Sequence, residues 1–386
     1  MVSPANRRRQ RADLFSILYL CVIIMISAGS LGCDREKEPI KLGFSGCLTG
    51  RLSDLGTSGR NGAILAVEQI NETGGVNGRP VELIVRDDRQ DKAEALRVDQ
   101  ELMAEGVVAI IGHMTSAMSM AAVPLINEEQ VLMISPTTST NALKGIDDYF
   151  IRVMPPNSAQ TEHLARYAYQ EAGVRQIAAV VSLANRAYTE GFLENFIRVF
   201  QDLGGKVVSV ESFPSGSETD FVKPAQSLLK PAPDAVLLVA GSLDAAMICQ
   251  HIRMSGTKIP IFSCGWAMTD ALIEHGGPAV EGVVFSQLFD RKSRDKSYIT
   301  FTRRFEARFG KAPDFAACHA YEAARVVLQA LSVNPDPDAL KATILGQGTF
   351  DGLQGDLRID PYGDPRRRRH LIEIKGGHFR RQTIPE

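Results

Sequence analysis

The chain predicts an α/β fold: two Rossmann-like lobes with parallel sheets, joined by a hinge that the chain crosses three times. Three observations lead there. After Pro39, short apolar runs alternate with stretches of helical periodicity, the pattern of a parallel sheet covered by helices on both faces. The runs fall into two groups of four, parted at FIRVMPPNSAQ, where Pro155 and Pro156 interrupt regular structure. The remaining block, from Gly282 to the end, is too small to stand alone and is expected to complete both lobes, which is what requires the third crossing.

In chain order, the first 33 residues are of a different material. Arg7, Arg8, Arg9 and Arg11 precede the apolar run LFSILYLCVIIMISA, which gives way to GSLGC, the layout of a secretory signal. An apolar core of roughly 15 residues falls short of the roughly 20 that cross a bilayer, which favours a cleaved leader over a permanent anchor. SLGC resembles a bacterial lipobox, with Cys33 lipidated as the mature N-terminus. Ser30 stands where that pattern usually has Leu, so cleavage nearby without lipidation stays open; Asp34 resembles the signal that keeps some lipoproteins at the inner membrane.

Strands are expected at IKLGFSG, VELIVRD, VVAIIG and VLMISP in the first lobe, and at QIAAVVS, KVVSVESF, AVLLVAG and IPIFSCG in the second. Between the first two, RNGAILAVEQINETGG places Ala63, Ala66, Val67 and Ile70 on one helical face and stops at a glycine pair. A second helix is expected from about Asp91 to Glu105. The last block adds the strand GVVFSQLF, helices near Tyr298 to Phe309 and His319 to Leu331, and a final hairpin around GDLRIDPYGDPRRRRHLIEI. The expected divisions are a signal at 1–33, lobe one at 39–157 plus 289–352, and lobe two at 158–288 plus 353–386.

Composition excludes several classes. With 386 residues, 44% hydrophobic and 23% charged, the chain has room for two sizeable cores, and disordered or collagen-like readings fall away. A net charge of −2 carries no excess that would attract nucleic acid or an anionic membrane surface at whole-chain level. Of six cysteines, Cys21 lies in the leader and Cys33 is taken by the lipobox; Cys47, Cys249, Cys264 and Cys318 remain, expected as separate buried thiols, with pairing of Cys249 and Cys264 left open. The seven histidines lack ligand spacing, so neither a metal nor a cofactor is expected. Enzyme signatures are missing too: there is no GxSxG, GxxxxGK[ST], GxGxxG or HExxH. Asp87 and Asp88 are neighbours on a strand, so they face opposite ways and read as a solvated strand end rather than an acid/base couple. Arg366 to Arg369 follow the turn DPYGD inside a hairpin, where alternate side chains diverge, which argues against a phosphate or nucleic-acid site.

The chemistry is expected beyond the carboxyl ends of strands, where ligands of open α/β sheets bind. GHMTSAMS, residues 112–119, leaves a buried strand through a glycine and sets Thr115, Ser116 and Ser119 where a helix opens. Unpaired N–H groups, a positive dipole end and hydroxyl donors together make a seat for a carboxylate. The plainer alternative is that Thr115 or Ser116 caps its own helix. The strand VLMISP also ends in hydroxyl residues, TTSTN, and a parallel sheet would bring this loop beside the first; simple turn formation by Ser135 and Pro136 is its plainer alternative.

GCLTG, NGAILAVEQINETGGVNGRPVELIVRDD, IIGHMTS, LMISPTTST and FDGLQGDLRID, in this order, resemble the type I periplasmic solute-binding proteins of ABC importers, of the branched-chain amino-acid (Leu/Ile/Val)-binding kind. The resemblance runs from about Pro39 to Phe379. It implies two lobes closing on a small ligand and delivery of that ligand to a membrane ABC permease; alongside it, a monomer without enzymatic activity is expected in the periplasm, held at the inner membrane if Cys33 is lipidated. It further implies that Ser116 and Ser139 hold a ligand carboxylate, that Thr138 offers a carbonyl to an amino group, and that Tyr188 closes over the ligand from the second lobe. Three departures qualify this. Gly265 followed by Trp266 stands where the family carries an acidic residue; Leu55 and Ser242 stand where it carries aromatics; and Arg89 or a close neighbour and Thr115 replace its disulfide. An ammonium group in a closed cleft needs a negative partner, so a carboxylate with an apolar or aromatic body is as consistent with these residues as an amino acid. Trp266 is expected either to stack on such a body or to serve the core or hinge. The resemblance also leaves open a ligand sensor that reports to a regulatory partner.

Overall fold

The computed structural model describes residues 37–216 and 218–382, so the expected signal segment and Cys33 lie outside the described residues. A first sheet is built from β1 (Ile40–Gly46), β2 (Val81–Asp87), β3 (Ala109–Ile111), β4 (Leu132–Ser135) and β5 (Phe150–Arg152), all parallel, in the order β2-β1-β3-β4-β5. Its strands are apolar on both faces, as coverage on both sides demands. Ile110, Met133 and Phe150 pack on one face beneath α2 (Lys92–Ala104) and α3 (Ser116–Glu128), and Ile111, Ile134 and Ile151 belong to the core on the other. That second core also takes in α1 (Ser53–Glu72), which packs along α10 (Phe315–Val333).

The second sheet alternates β6 (Gln176–Ser182), β7 (Lys206–Phe213), β8 (Ala235–Val239), β9 (Ile261–Ser263) and β10 (Val284–Gln287) with α4 (Ser158–Arg166), α5 (Arg186–Asp202), α6 (Val222–Leu229), α7 (Ser242–Met254) and α8 (Asp270–Gly276). After β10 the chain forms α9 (Lys296–Phe309), α10, α11 (Leu340–Gln347) and a small antiparallel sheet of β11 (Thr349–Phe350), β12 (Leu357–Ile359) and β13 (Pro365–Arg366). It returns to the second sheet as β14 (His370–Ile374) and β15 (Phe379–Arg381), both antiparallel, giving the order β15-β14-β10-β9-β8-β6-β7.

The expected α/β architecture with two parallel sheets is present, with two local corrections. FIRVMPP, read as a break, supplies β5: its first three residues pair with β4 before the prolines end the strand. The single final hairpin is in fact two, and the chain joins the second sheet at His370 rather than at 353. The reason is Arg152, whose side chain is fully buried at the end of β5. Its Nε donates to Asp364 Oδ1 at 2.6 Å and its Nη1 to the Thr140 carbonyl at 2.7 Å, while its backbone N–H donates to the Gly363 carbonyl at 3.1 Å. The turn of DPYGD is thereby docked on the first sheet. A buried guanidinium stranded without Asp364 would cost several kcal/mol.

Candidate functional site

Beyond β3 the chain leaves through Gly112, where a Cβ would lie 2.4 Å from the Ser45 carbonyl oxygen, so only glycine lets the strand end pass its neighbour this closely. The next side chain, His113, is fully buried and held between two carboxylates: Nδ1 is 2.8 Å from Asp88 Oδ2 and Nε2 is 2.8 Å from Asp99 Oδ2. Burial by itself pushes the imidazole's pKa down, but Asp99 and Asp88 outweigh it and hold it at about 10. His113 is therefore an imidazolium at neutral pH. Asp88, expected at a solvated strand end, is instead buried, because it serves this clamp, while Asp87 faces the other way and accepts from Leu48 N–H and the Thr49 hydroxyl.

On this floor sit the two hydroxyl-rich loops. Thr115 occupies the N-cap position of α3 with extended backbone but makes no capping bond; its hydroxyl donates to Gln90 Oε1 at 3.0 Å. Ser116 does not cap either. Its Oγ accepts from the backbone N–H groups of Ser139 and Thr140, both at 3.2 Å, which leaves its own proton to donate elsewhere. Ser119 and Thr138 bond to each other at 2.7 Å, Ser135 donates to the His113 carbonyl, and Thr137 donates to the Met114 carbonyl. The loops are thus cross-braced by the hydroxyls themselves.

The opposite wall rises from the second sheet. Asn185, just before α5, sends its Oδ1 across to accept from Ala117 N–H at 3.0 Å, occupying the first turn of α3. Tyr188 meets Trp266 edge-on, with ring centroids 6.0 Å apart. Gly265 has a steric explanation: a Cβ there would lie 2.7 Å from Gln287 Nε2, which donates to the Gly265 carbonyl while Gln160 donates to Gln287 Oε1. Gln287 would have to give way to admit a side chain at 265.

Between the walls is a narrow cavity of about 20 Å³, room for about one water molecule. Of the expected residues, Leu55, Ser116, Ser139, Tyr188, Gly265 and Trp266 line it. Thr115, Thr138 and Ser242 do not: the first two spend their hydroxyls on Gln90 and Ser119, and Ser242 donates to Asp54 Oδ2 at 2.6 Å, beside Thr269, which donates to the same oxygen. Met114, Thr137, Met154, Gln160, Asn185 and Phe315 line it without having been singled out. No lining side chain carries a charge. Arg51, just before α1, pairs with Asp244 of α7 at 2.5 Å, a second link between these two segments.

Cys47, Cys249, Cys264 and Cys318 are free and buried, Cys249 and Cys264 included, and burial pushes their thiol pKa values up, Cys249 to about 12. Among the described residues no cluster of three or more His, Cys, Asp or Glu side chains is arranged to hold a metal, and no helix is long and apolar enough to cross a membrane.

Comparison with known proteins agrees with this geometry. The leucine-, isoleucine-, valine-, threonine- and alanine-binding protein of Pseudomonas aeruginosa is 25% identical over 345 residues, 88% of this chain and 91% of its own. A leucine-binding protein of Thermotoga maritima superposes with a TM-score of 0.83 at 28% identity, covering 89% of this chain and 98% of its own. An ABC-transporter solute-binding protein of R. palustris, solved with benzoate, shares the fold at a TM-score of 0.81 and 20% identity, over 89% and 95% of the two chains. A family model described as periplasmic binding protein matches residues 39–378. With the match spanning both sheets and the cleft between them, the chain belongs to the periplasmic binding protein family, as a solute-binding protein with the type I fold.

Proposed function

We propose that this protein captures a small carboxylate-bearing solute in the cleft and delivers it to the membrane permease of an ABC importer. The observation that carries the reading is the division of the cavity: hydroxyls on one wall, aromatic rings on the other, and no charged group among its lining residues. The Ser116 and Ser139 hydroxyls donate to the carboxylate near the positive end of α3. Each charge-assisted bond contributes about 1.5–3 kcal/mol, so two of them with burial of an apolar body reach micromolar affinity. An α-ammonium group would find no carboxylate beside it, and an uncompensated charge in a closed cleft costs several kcal/mol. The preferred ligand is therefore an acid with an apolar or aromatic body, and amino acids bind more weakly. The named ligands of the Pseudomonas aeruginosa and Thermotoga maritima relatives support the carboxylate head.

Binding closes lobe one (39–157 plus 289–367) on lobe two (158–288 plus 368–386), because a ligand touching both favours the closed state by its differential contacts; the docking of Asp364 on Arg152 supports placing 353–367 with lobe one rather than lobe two. The protein works as a monomer outside the cytoplasm, tethered by lipid at Cys33. The test is thermal unfolding of the ligand-stripped domain that starts after Cys33, against aliphatic and aromatic amino acids, the matching amine-free acids, and amides. Binding at a hundred times Kd adds about 2.7 kcal/mol to stability. Amine-free acids are expected to raise the midpoint most; stabilisation by amino acids alone, or by none of the panel, overturns the assignment.

A further inference from the structure

A second depression, wider and more open, shares no lining residue with the cleft. It offers about 940 Å³ where segments 288–295, 354–358 and 366–370 pass one another beside Arg381. Seven of its lining side chains are cationic at neutral pH and three are carboxylates. The carboxylates are already engaged: Asp290 lies 4.0 Å from Arg381, Asp356 lies 3.5 Å from Arg358, and Asp295 accepts from the Ser293 hydroxyl at 2.8 Å. Arg367 turns inward to a buried pair with Glu322 at 2.6 Å. That leaves Lys292, Arg294, Arg366 and Arg368 exposed on the groove, with no carboxylate at ion-pair distance among the described residues.

The hairpin argument that separated these arginines holds only within the run. Alternation sends Arg367 inward and leaves Arg366 and Arg368 on one side, and the fold then adds Lys292 and Arg294 from a segment more than seventy residues earlier. At the same place His370 Nδ1 is buried with no hydrogen-bond partner. Burial and then Arg381 push this imidazole's pKa down, as a ring facing cations would be. Four unpaired like charges around an orphaned nitrogen repel one another until an anion neutralises them.

We propose that this groove binds a multivalent oxyanion, a compound carrying two or more phosphate groups. A single carboxylate would answer one of the four cations, whereas a polyphosphate answers several, and the guanidinium fork matches paired phosphate oxygens. The phosphates belong either to a soluble compound or to the headgroups of an anionic lipid, which share this chemistry.

The experiment is calorimetric titration of the mature protein with inorganic triphosphate at low ionic strength, alongside co-sedimentation with phosphatidylglycerol and phosphatidylcholine vesicles. Saturable one-to-one binding is expected, weakened at least about tenfold by the double variant Arg366→Gln/Arg368→Gln and further by adding Lys292→Gln/Arg294→Gln. Lys206→Gln/Lys230→Gln, which removes the same charge by the opposite edge of the second sheet, is expected to change it less than about twofold. Triphosphate binding without vesicle capture identifies a soluble ligand; capture by phosphatidylglycerol that triphosphate competes away identifies a headgroup. Binding of neither probe, or equal loss in the opposite-edge variant, overturns the site. Unchanged thermal midpoints in all variants keep a folding defect from imitating either result.

Discussion

On the first-sheet wall of the cleft, Ser116, Ser119, Ser135, Thr137 and Thr138 are hydrogen-bonded to one another's loops above the His113 clamp. On the second-sheet wall, Tyr188 and Trp266 meet in a T-shaped contact, and Gln287 packs against Gly265. The polar wall is oriented before any ligand arrives, since its hydroxyls already have partners that fix their direction. The aromatic wall offers area and shape, and holds a ligand by excluding water. Under the proposed function, a carboxylate head would meet rigid donors, and the body a surface that tolerates variation in outline.

Four changes break or sharpen that contrast. The largest effect is expected at the floor: His113→Leu leaves Asp88 and Asp99 buried without their cation, a loss of about 3–5 kcal/mol in unfolding free energy measured by urea denaturation. The same clamp predicts a pH dependence. With the folded pKa raised to about 10 from an ordinary value of about 6.5, its contribution is full below the lower value and is lost as pH rises through the upper one. Wild-type stability should therefore fall more steeply toward alkaline pH than that of the variant; parallel curves would mean that the ring is neutral. Second, Trp266→Ala removes most of the aromatic wall and should weaken the best ligand about thirtyfold, read by calorimetry, with amine-free and amine-bearing acids affected alike. Ser116→Ala comes next, with at least about a tenfold loss confined to ligands that carry a carboxylate; undiminished affinity removes the carboxylate seat. The smallest effect is expected at the link between α1 and α7, where Arg51→Gln releases Asp244 and should cost about threefold in affinity, with small-angle scattering of the unliganded protein shifting toward a more extended form.

Much of this was legible because strand ends announce themselves. An apolar run followed by Gly112 and then hydroxyls marked the loop before α3, and Ser116, Ser139, Tyr188, Gly265, Trp266 and Leu55 all line the cavity. What spacing does not carry is the direction of a side chain within its loop. Thr138 and Ser242 lie in the right segments, yet their hydroxyls point to Ser119 and Asp54. Met114, Met154 and Phe315 are apolar residues that by type alone belong equally to a core. Asn185 and Gln287 act on partners distant in the chain, Ala117 and Gly265, so their roles appear only when the two walls are brought together. Gly265 is the clearest case: sequence exposes the missing acidic residue, whereas the neighbour that a side chain there would have to displace, Gln287, sits on β10.

Trp266 is the only tryptophan in the 386-residue chain, and it lies in the cleft against Tyr188. Every photon of indole emission from this protein therefore originates at one known address. An unlabelled ligand entering the cavity changes the dielectric and the quenchers around that single ring, and no second indole dilutes the signal. The molecule carries its own optical gauge of occupancy, which turns a search for its ligand into a fluorescence titration that needs neither dye nor radioisotope.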